Sequence, residues 1–300
     1  MRTKRLLSLI FCATGMLLLI LDAKTALYAA SEGISLCITV VIPSLFPLLV
    51  LSTMINSTLS GLKSPVLRPI SKLCRIPEGA EPVLLLGLLG GYPVGAAGVR
   101  QAYDSGVLKK VEAERMLAFC NNAGPAFIFG ILSLQFEGVG VCFAIWVVQI
   151  VSSLVVSMIV PGCDQRKTTA PVREPITMPQ AIPIGLRNMA NVCGWVIVFR
   201  VIIGFLERWL LWLLPQRLSL IVLALLELTN GCLLLSNIEQ QATRFLIASA
   251  FLALGGICVA MQTASVSGTL SLRKYYIGKL LQAVISVVLS ALLLLIFPLA

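Results

Sequence analysis

Residues 84–98 read LLLGLLGGYPVGAAG, and after a charged connector residues 119–127 read FCNNAGPAF. Both runs are apolar enough to enter a lipid bilayer, but each contains glycine, proline or amide residues where a membrane helix would be expected to continue. A bilayer offers no water to hydrogen-bond to interrupted backbone, so irregular chain at that depth must be buried in protein or line a cavity. These two interruptions are therefore predicted to form a binding site.

The composition of the chain indicates an integral membrane protein. The 300 residues are 58% hydrophobic and 12% charged, whereas an average soluble domain has about 25% charged residues. A membrane-crossing helix needs about 20 mainly apolar residues. Full or partial candidates are residues 6–21, 43–55, 139–160, 192–206, 218–235, 245–261 and 277–297. We therefore expect an all-α polytopic membrane protein.

Charge, cysteine and histidine content exclude several functions. The net charge of +10 would suggest nucleic acid in a soluble protein, but here Lys and Arg lie between apolar runs, where they set topology, so no nucleic acid is expected. The nine cysteines include no Cys-x-x-Cys pair that would indicate zinc or redox chemistry. Histidine is absent, which removes the commonest metal ligand and any His-based triad or proton relay. We expect no metal, no cofactor and no enzymatic activity.

The chain is expected to contain two membrane repeats. Residues 1–22 have a basic start and an apolar run, and they predict an uncleaved first transmembrane helix with a cytoplasmic N-terminus in the bacterial cell membrane. Residues 23–160 form the first repeat, the proline-rich segment 161–180 is a linker, and residues 181–300 form the second repeat. The second repeat follows the order of the first, with an interruption at 227–231 (ELTNG). A repeat with interrupted segments at matching positions indicates the binding site of a secondary transporter.

The two repeats are predicted to be inverted, with broken or re-entrant helices that meet near the membrane midplane. The segments around Asn122 and Gly255 are taken as re-entrant, and the other apolar runs as crossings. Most of the 23 Lys and Arg residues then fall on the cytoplasmic side, as the positive-inside rule requires. Lys109 and Lys110 fall on the outside in this arrangement. A further break is predicted at the prolines of residues 42–47 (IPSLFP).

The motifs GYPVG at 91–95 and NNAGPAF at 121–127 resemble the Gate or nucleoside-recognition domain. They are most similar to the sporulation integral membrane protein YlbJ family, also called SpoVV, and the segments at 42–47 and 227–231 fit its pattern. The resemblance implies a transporter-like membrane protein, associated in endospore formers with moving dipicolinic acid across a forespore membrane. The wider Gate group includes nucleoside carriers and spore-maturation proteins. A nucleoside or nucleobase carrier and a non-transporting spore membrane assembly protein are therefore alternatives.

The candidate substrate-binding residues lie at the interruptions and at two ionisable positions within apolar runs. Glycines would let backbone approach a solute, Tyr92 could stack on an aromatic ring, and asparagines both donate and accept hydrogen bonds. Ionisable groups in membrane segments are functional hypotheses by default. The set is Gly91, Tyr92, Pro93, Gly95, Asn121, Asn122, Gly124, Pro125, Arg200, Glu227, Thr229 and Asn230.

Structural alternatives stand beside each of these assignments. The glycines could simply permit tight helix packing, the asparagines could hold a hairpin together, and Arg200 and Glu227 could neutralise each other as an ion pair. The expected partners are a small-molecule solute and the lipid bilayer. A second copy of the chain in a homo-oligomer is a further candidate.

Overall fold

The computed structural model describes residues 2–59, 68–136, 138–162 and 174–299, and the described residues contain helices and no strands. Five helices or helix pairs in this part of the chain are long and apolar enough to cross a membrane. They are Ala23–Leu59, Val139–Ile159, Met178–Trp209, Gln241–Ser267 and Arg273–Ile296. The prediction of an all-α polytopic membrane protein is therefore confirmed.

In the part of the chain that the structure describes, the first half contains nine α-helices and the second half contains six. A five-residue π-helical turn, Cys37–Val41, joins the second to the third, and a 3₁₀ turn, Leu132–Gln135, follows the eighth. The α-helices are α1 (Arg2–Leu21), α2 (Ala23–Leu36), α3 (Ile42–Leu59), α4 (Arg68–Leu73), α5 (Glu81–Leu89), α6 (Val94–Asp104), α7 (Lys110–Met116), α8 (Pro125–Gly130) and α9 (Val139–Ile159).

The second half contains six α-helices. Short 3₁₀ turns, Leu211–Leu213 and Leu234–Asn237, follow the first and the third of them. The α-helices are α10 (Met178–Trp209), α11 (Gln216–Leu226), α12 (Leu228–Leu233), α13 (Gln241–Leu254), α14 (Gly256–Ser267) and α15 (Arg273–Ile296).

The same order of elements recurs in both halves. Each has a long helical element (α2–α3 or α10), then a pair of short packed helices (α5–α6 or α11–α12), an interrupted helix (α7–α8 or α13–α14) and a last long helix (α9 or α15). The long elements of one half pack on those of the other, α2–α3 on α10 and α9 on α15. The inverted relation of the halves and the domain boundaries stay predictions. Within the expected linker, residues 163–173 lie outside the described residues.

The structure reverses the predicted roles of the interrupted segments. Helices α5 and α6 pack against each other on either side of the turn at 90–93, and α11 and α12 pack on either side of Glu227, so these two segments are the hairpins. The segment around Gly255, predicted to be re-entrant, joins α13 and α14 into a 27-residue candidate span. The hydrophobic pattern of the sequence cannot distinguish a hairpin of two short apolar helices from a single broken crossing helix, because the two have the same composition.

The predicted break at the prolines of residues 42–47 is wrong. Helical chain continues from Ala23 to Leu59, although Pro47 lies inside α3. The π-helical turn immediately before α3 widens the helix, and the Ser44 hydroxyl donates to the Val40 carbonyl at 2.7 Å. Local adjustments of this kind let a membrane helix continue through a proline.

One end of the helix bundle is held by Arg115, and we call it the basic end. The Arg115 side chain is 2% exposed and donates to the carbonyl oxygens of Cys74 at 2.8 Å and Ser157 at 2.6 Å. Nearby, the Ser271 amide donates to Glu114 at 2.9 Å. Arg115 belongs to the charged connector between the two motifs, and it is buried because it satisfies carbonyl groups at the ends of several segments. Basic residues of this end include Arg68, Lys72, Arg75, Lys109, Lys110, Arg273 and Lys274.

Replacing Arg115 by Met is expected to lower the free energy of unfolding by roughly 3 kcal/mol, because buried carbonyl oxygens lose a charged donor. Thermal unfolding of the purified protein in detergent measures the change. Arg273→Met is the matched control, since Arg273 is exposed, and a surface substitution should stay within about 0.5 kcal/mol. Equal melting temperatures for the two variants would contradict the assigned role of Arg115.

Candidate functional site

The hairpin α5–α6 holds the interrupted segment between α7 and α8 through direct backbone contact. β-Carbons built at Gly87 or Gly95 would overlap the Cys120 carbonyl oxygen, and one at Gly124 would lie 2.8 Å from the Gly91 backbone. Gly91 has φ 79°, a left-handed conformation that glycine adopts without strain. The two motifs singled out from the sequence are therefore packed against each other, and Gly95 serves this packing.

A central cavity of about 80 Å³ lies at the tips of both hairpins. Gly91 and Tyr92 line it from the first hairpin, Glu227 and Thr229 from the second, and Gly124 from the interrupted segment. The rest of its wall comes mostly from the long helical elements, α8 and α14. Those residues include Val40, Val41, Ser44, Val192, Val196, Val259 and Gln262. The interruptions of the two halves thus share one cavity.

Tyr92 links the first hairpin to the interrupted helix of the second half. Its hydroxyl donates to the Leu252 carbonyl, in the last turn of α13, and Gly255 lies close to its ring. The backbone at this hairpin tip turns through Gly91, the cis Tyr92–Pro93 peptide bond and Pro93, which directly precedes α6. The aromatic ring of Tyr92 is consequently fixed in the cavity wall.

Glu227 occupies the tip of the second hairpin. Its carboxylate accepts hydrogen bonds from the backbone amides of Thr229 at 3.0 Å and Asn230 at 2.8 Å, which caps the start of α12. The residue is 5% exposed, and no ion pair to it is found among the described residues. Glu227 is thus a buried carboxylate in the cavity wall that backbone amides stabilise.

Arg200 does not pair with Glu227, so the predicted ion-pair alternative is wrong. Its guanidinium donates to Glu32 of α2 at 2.8 Å and to the Asn230 side chain at 3.1 Å. Arg200 lies one helical turn beyond Val196, on the side of the cavity away from the basic end. The Glu32–Arg200–Asn230 group therefore lies between the central cavity and the end of the bundle opposite the basic end.

Asn122 lies behind the cavity wall in a buried polar network. Its amide nitrogen donates to the Phe119 carbonyl at 2.8 Å, and its oxygen accepts from Gln282 at 2.9 Å and Lys279 at 3.3 Å. Asn121 is also buried and donates to Thr263 at 2.8 Å. Both asparagines thus hold the interrupted segment in place, which is the structural alternative considered for them.

Two larger cavities lie on either side of the central one along α2–α3 and α10. The basic-end cavity, about 390 Å³, is lined mainly by α3, α6 and α10, with Ser52, Arg100, Asp104 and Asn188 among its residues. The opposite-end cavity, about 440 Å³, is lined by Thr25, Tyr28, Ala29, Glu32, Arg200, Gly204 and neighbouring charged residues.

An apolar layer separates the central cavity from the basic-end cavity. Leu49, Val94 and Met189 are each at most 4% exposed and pack together there. On α3 and α10 these positions lie between residues of the two cavities. Three cavities therefore follow one another along α2–α3 and α10. The apolar layer lies between the basic-end and central cavities, and the Glu32–Arg200 layer lies between the central and opposite-end cavities.

Of the twelve residues predicted to bind substrate, five line the central cavity: Gly91, Tyr92, Gly124, Glu227 and Thr229. The others lie next to it and support its wall or its boundary. They are Pro93, Gly95, Asn121, Asn122, Pro125, Arg200 and Asn230. A substrate-binding role for any of the twelve stays a prediction.

The sequence reasoning missed Lys279 and its neighbour Gln282. Lys279 lies near the start of the predicted apolar run 277–297, where a lysine close to a helix end is expected to face the membrane surface. The structure starts α15 four residues earlier, at Arg273, and buries Lys279 to 3% exposure. The sequence did contain a signal for this pair. Lys279 lies three positions before Gln282, so both fall on one face of an apolar helix, where an ionisable residue indicates a functional site.

The fold and the cavity define a polytopic α-helical membrane protein in which two hairpins meet at a buried site. The sporulation integral membrane protein YlbJ of Bacillus subtilis (strain 168) is 26% identical over an alignment of 317 residues, which covers 88% of this chain and 76% of that protein. This similarity supports the resemblance to the YlbJ family that the motifs predicted. No family model matches the chain, so the Gate-domain assignment stays a prediction. No solved structure matches it.

Gly95→Ala is expected to lower the free energy of unfolding by about 3 kcal/mol, because the added methyl group forces the Cys120 carbonyl out of the hairpin. Thermal unfolding in detergent provides the measurement. The control is Gly98→Ala in the same helix, where the nearest atoms would be 3.9 Å from the new β-carbon. That substitution should be neutral or stabilising by up to about 1 kcal/mol. Equal melting temperatures for the Gly95→Ala and Gly98→Ala variants would contradict the close packing at Gly95.

Proposed function

We propose that this protein transports a small anionic or heteroaromatic solute across a bacterial membrane by alternating access. The observation that carries the proposal is the alignment of three cavities along α2–α3 and α10, with the tips of both hairpins around the middle one. Opening of the apolar layer would connect the central cavity to the basic end. Opening of the Glu32–Arg200 layer would connect it to the opposite end.

The proposed orientation puts the basic end in the cytoplasm. Loops and helix ends there carry the basic residues already named, including Lys109 and Lys110, whereas Lys24, Arg208 and Arg244 lie towards the opposite end. Cytoplasmic segments are enriched in Lys and Arg. Helix α1 ends next to Asp22, at the end of the bundle opposite the basic end. In the proposed orientation its basic N-terminus is therefore on the cytoplasmic side.

The substrate class follows from the chemistry of the central cavity and from the relative. The Tyr92 ring offers an aromatic surface, and the hydroxyl and amide groups of Ser44, Thr229 and Gln262 offer hydrogen bonds. The relative is a sporulation integral membrane protein, and the family resemblance implies dipicolinic acid as the first solute to test. The forespore membrane is the corresponding location.

Flux into liposomes distinguishes the candidate functions. We expect purified protein to accelerate uptake of radiolabelled dipicolinate more than uptake of uridine. Preference for uridine would instead support a nucleoside carrier of the same architecture. Absence of flux for both solutes, from either side of the membrane, would reject transport in favour of a spore membrane assembly protein.

Val196→Trp is expected to abolish flux, because the indole ring is too large for a wall position of a cavity of about 80 Å³. The matched control is Val198→Trp, on the same helix but 48% exposed on the outer surface of the bundle. Melting temperature and detergent solubility would be compared to ensure that both variants are folded. Undiminished flux through the Val196→Trp variant would show that the route lies elsewhere.

Glu227→Gln is expected to raise the rate of anion uptake, because a carboxylate and an anionic solute in one small cavity repel each other. The glutamine side chain keeps an oxygen that can accept the hydrogen bonds from the backbone amides at the start of α12. Uptake at one fixed pH measures the change, and an unchanged rate would exclude a role for the Glu227 charge.

A further inference from the structure

Lys279 is a buried amine in α15 with hydrogen-bond acceptors but no anionic partner. Its nitrogen donates to Gln282 at 2.9 Å and to Asn122 at 3.3 Å, and it lies 5.2 Å from the centre of the Tyr92 ring. Two amide oxygens and the face of an aromatic ring all favour an ammonium ion. Among the described residues, no carboxylate lies within ion-pair distance of it.

A positive charge without a counter-ion is costly inside a membrane protein. Amide oxygens and the Tyr92 ring offset part of that cost for an ammonium group at this position. Lys279 does not itself line the cavity, whereas Tyr92 does. The Tyr92 ring thus contacts both the Lys279 amine and the space in which a solute would bind.

We propose that Lys279 makes the central cavity selective for anions by acting through the Tyr92 ring. This inference rests on the proposed transport function and specifies the charge of the solute. A solute stacked on the cavity side of the ring would lie roughly 9 Å from the ammonium nitrogen, because stacked groups approach to about 3.5–4 Å. At an effective dielectric constant of about 20, a unit charge at that distance favours an anion over a neutral solute by roughly tenfold or more.

The test compares two solutes of nearly the same shape and different charge, pyridine-2-carboxylate and pyridine-2-carboxamide. Their relative uptake into liposomes, and the stabilisation each gives to the detergent-solubilised protein in thermal unfolding, are measured for the wild type and for Lys279→Met and Lys279→Gln. We expect both substitutions to reduce the preference for the carboxylate by roughly tenfold. Lys279→Arg should retain the preference, as should Lys274→Met, which removes a charge from the basic end of the same helix.

The outcomes separate a selectivity role from a structural one. If Lys279→Gln, which can still donate hydrogen bonds, weakened binding of both solutes equally, Lys279 would be only a packing residue and the inference would be overturned. An unchanged preference in both charge-removing variants would also overturn it. If the wild type bound the carboxylate preferentially but transported neither solute, the transport proposal would fail while the anion selectivity stood. A wild type without any preference in binding would refute the selectivity.

Discussion

The structure depends on one close backbone contact, the insertion of the Cys120 carbonyl between Gly87 and Gly95 of the first hairpin. Any side chain at either glycine would prevent it. The contact holds the segment between α7 and α8 against the hairpin, so that irregular backbone is covered by protein and not by lipid. It also fixes Asn122, two residues further on. That residue connects the interrupted segment to Gln282 and Lys279 of α15.

The two buried charges near the cavity are stabilised in different ways. Glu227 accepts hydrogen bonds from two backbone amides at the start of a helix, and Lys279 donates to amide oxygens and faces an aromatic ring. Each side chain is thus satisfied by its own partners and not by the other. Tyr92, which contacts the Lys279 amine, is itself held in place by its bond to the Leu252 carbonyl.

The sequence was sufficient to predict the membrane class, the interrupted segments and the shared position of Tyr92 and Glu227, because these depend on composition and on helix-breaking residues. It did not predict which interrupted segments fold back. Gly90–Pro93 and Gly255 both interrupt apolar runs, and only tertiary packing distinguishes a hairpin turn from a kink within a crossing helix. The partner of Arg200 was also missed, since Glu32 is 168 residues away in the chain. Glu227 and Arg200 could be recognised as unusual from sequence, but the groups that satisfy them could not.

Folding the 81–104 segment back as a hairpin has a consequence for topology. If it crossed the membrane, Lys109 and Lys110 would lie opposite Arg75, yet Arg115, at the end of the helix that Lys110 begins, contacts the carbonyl oxygens of residues 74 and 75. The hairpin returns the chain to the side from which it entered, and these basic residues then gather at one end. A bias of Lys and Arg that was only partial under the earlier assignment thus becomes consistent along the described chain. The charge distribution and the backbone contacts support the hairpin arrangement independently. The positive-inside rule depends only on where Lys and Arg occur in the sequence, whereas the hydrogen bonds of Arg115 depend only on the packing of the chain.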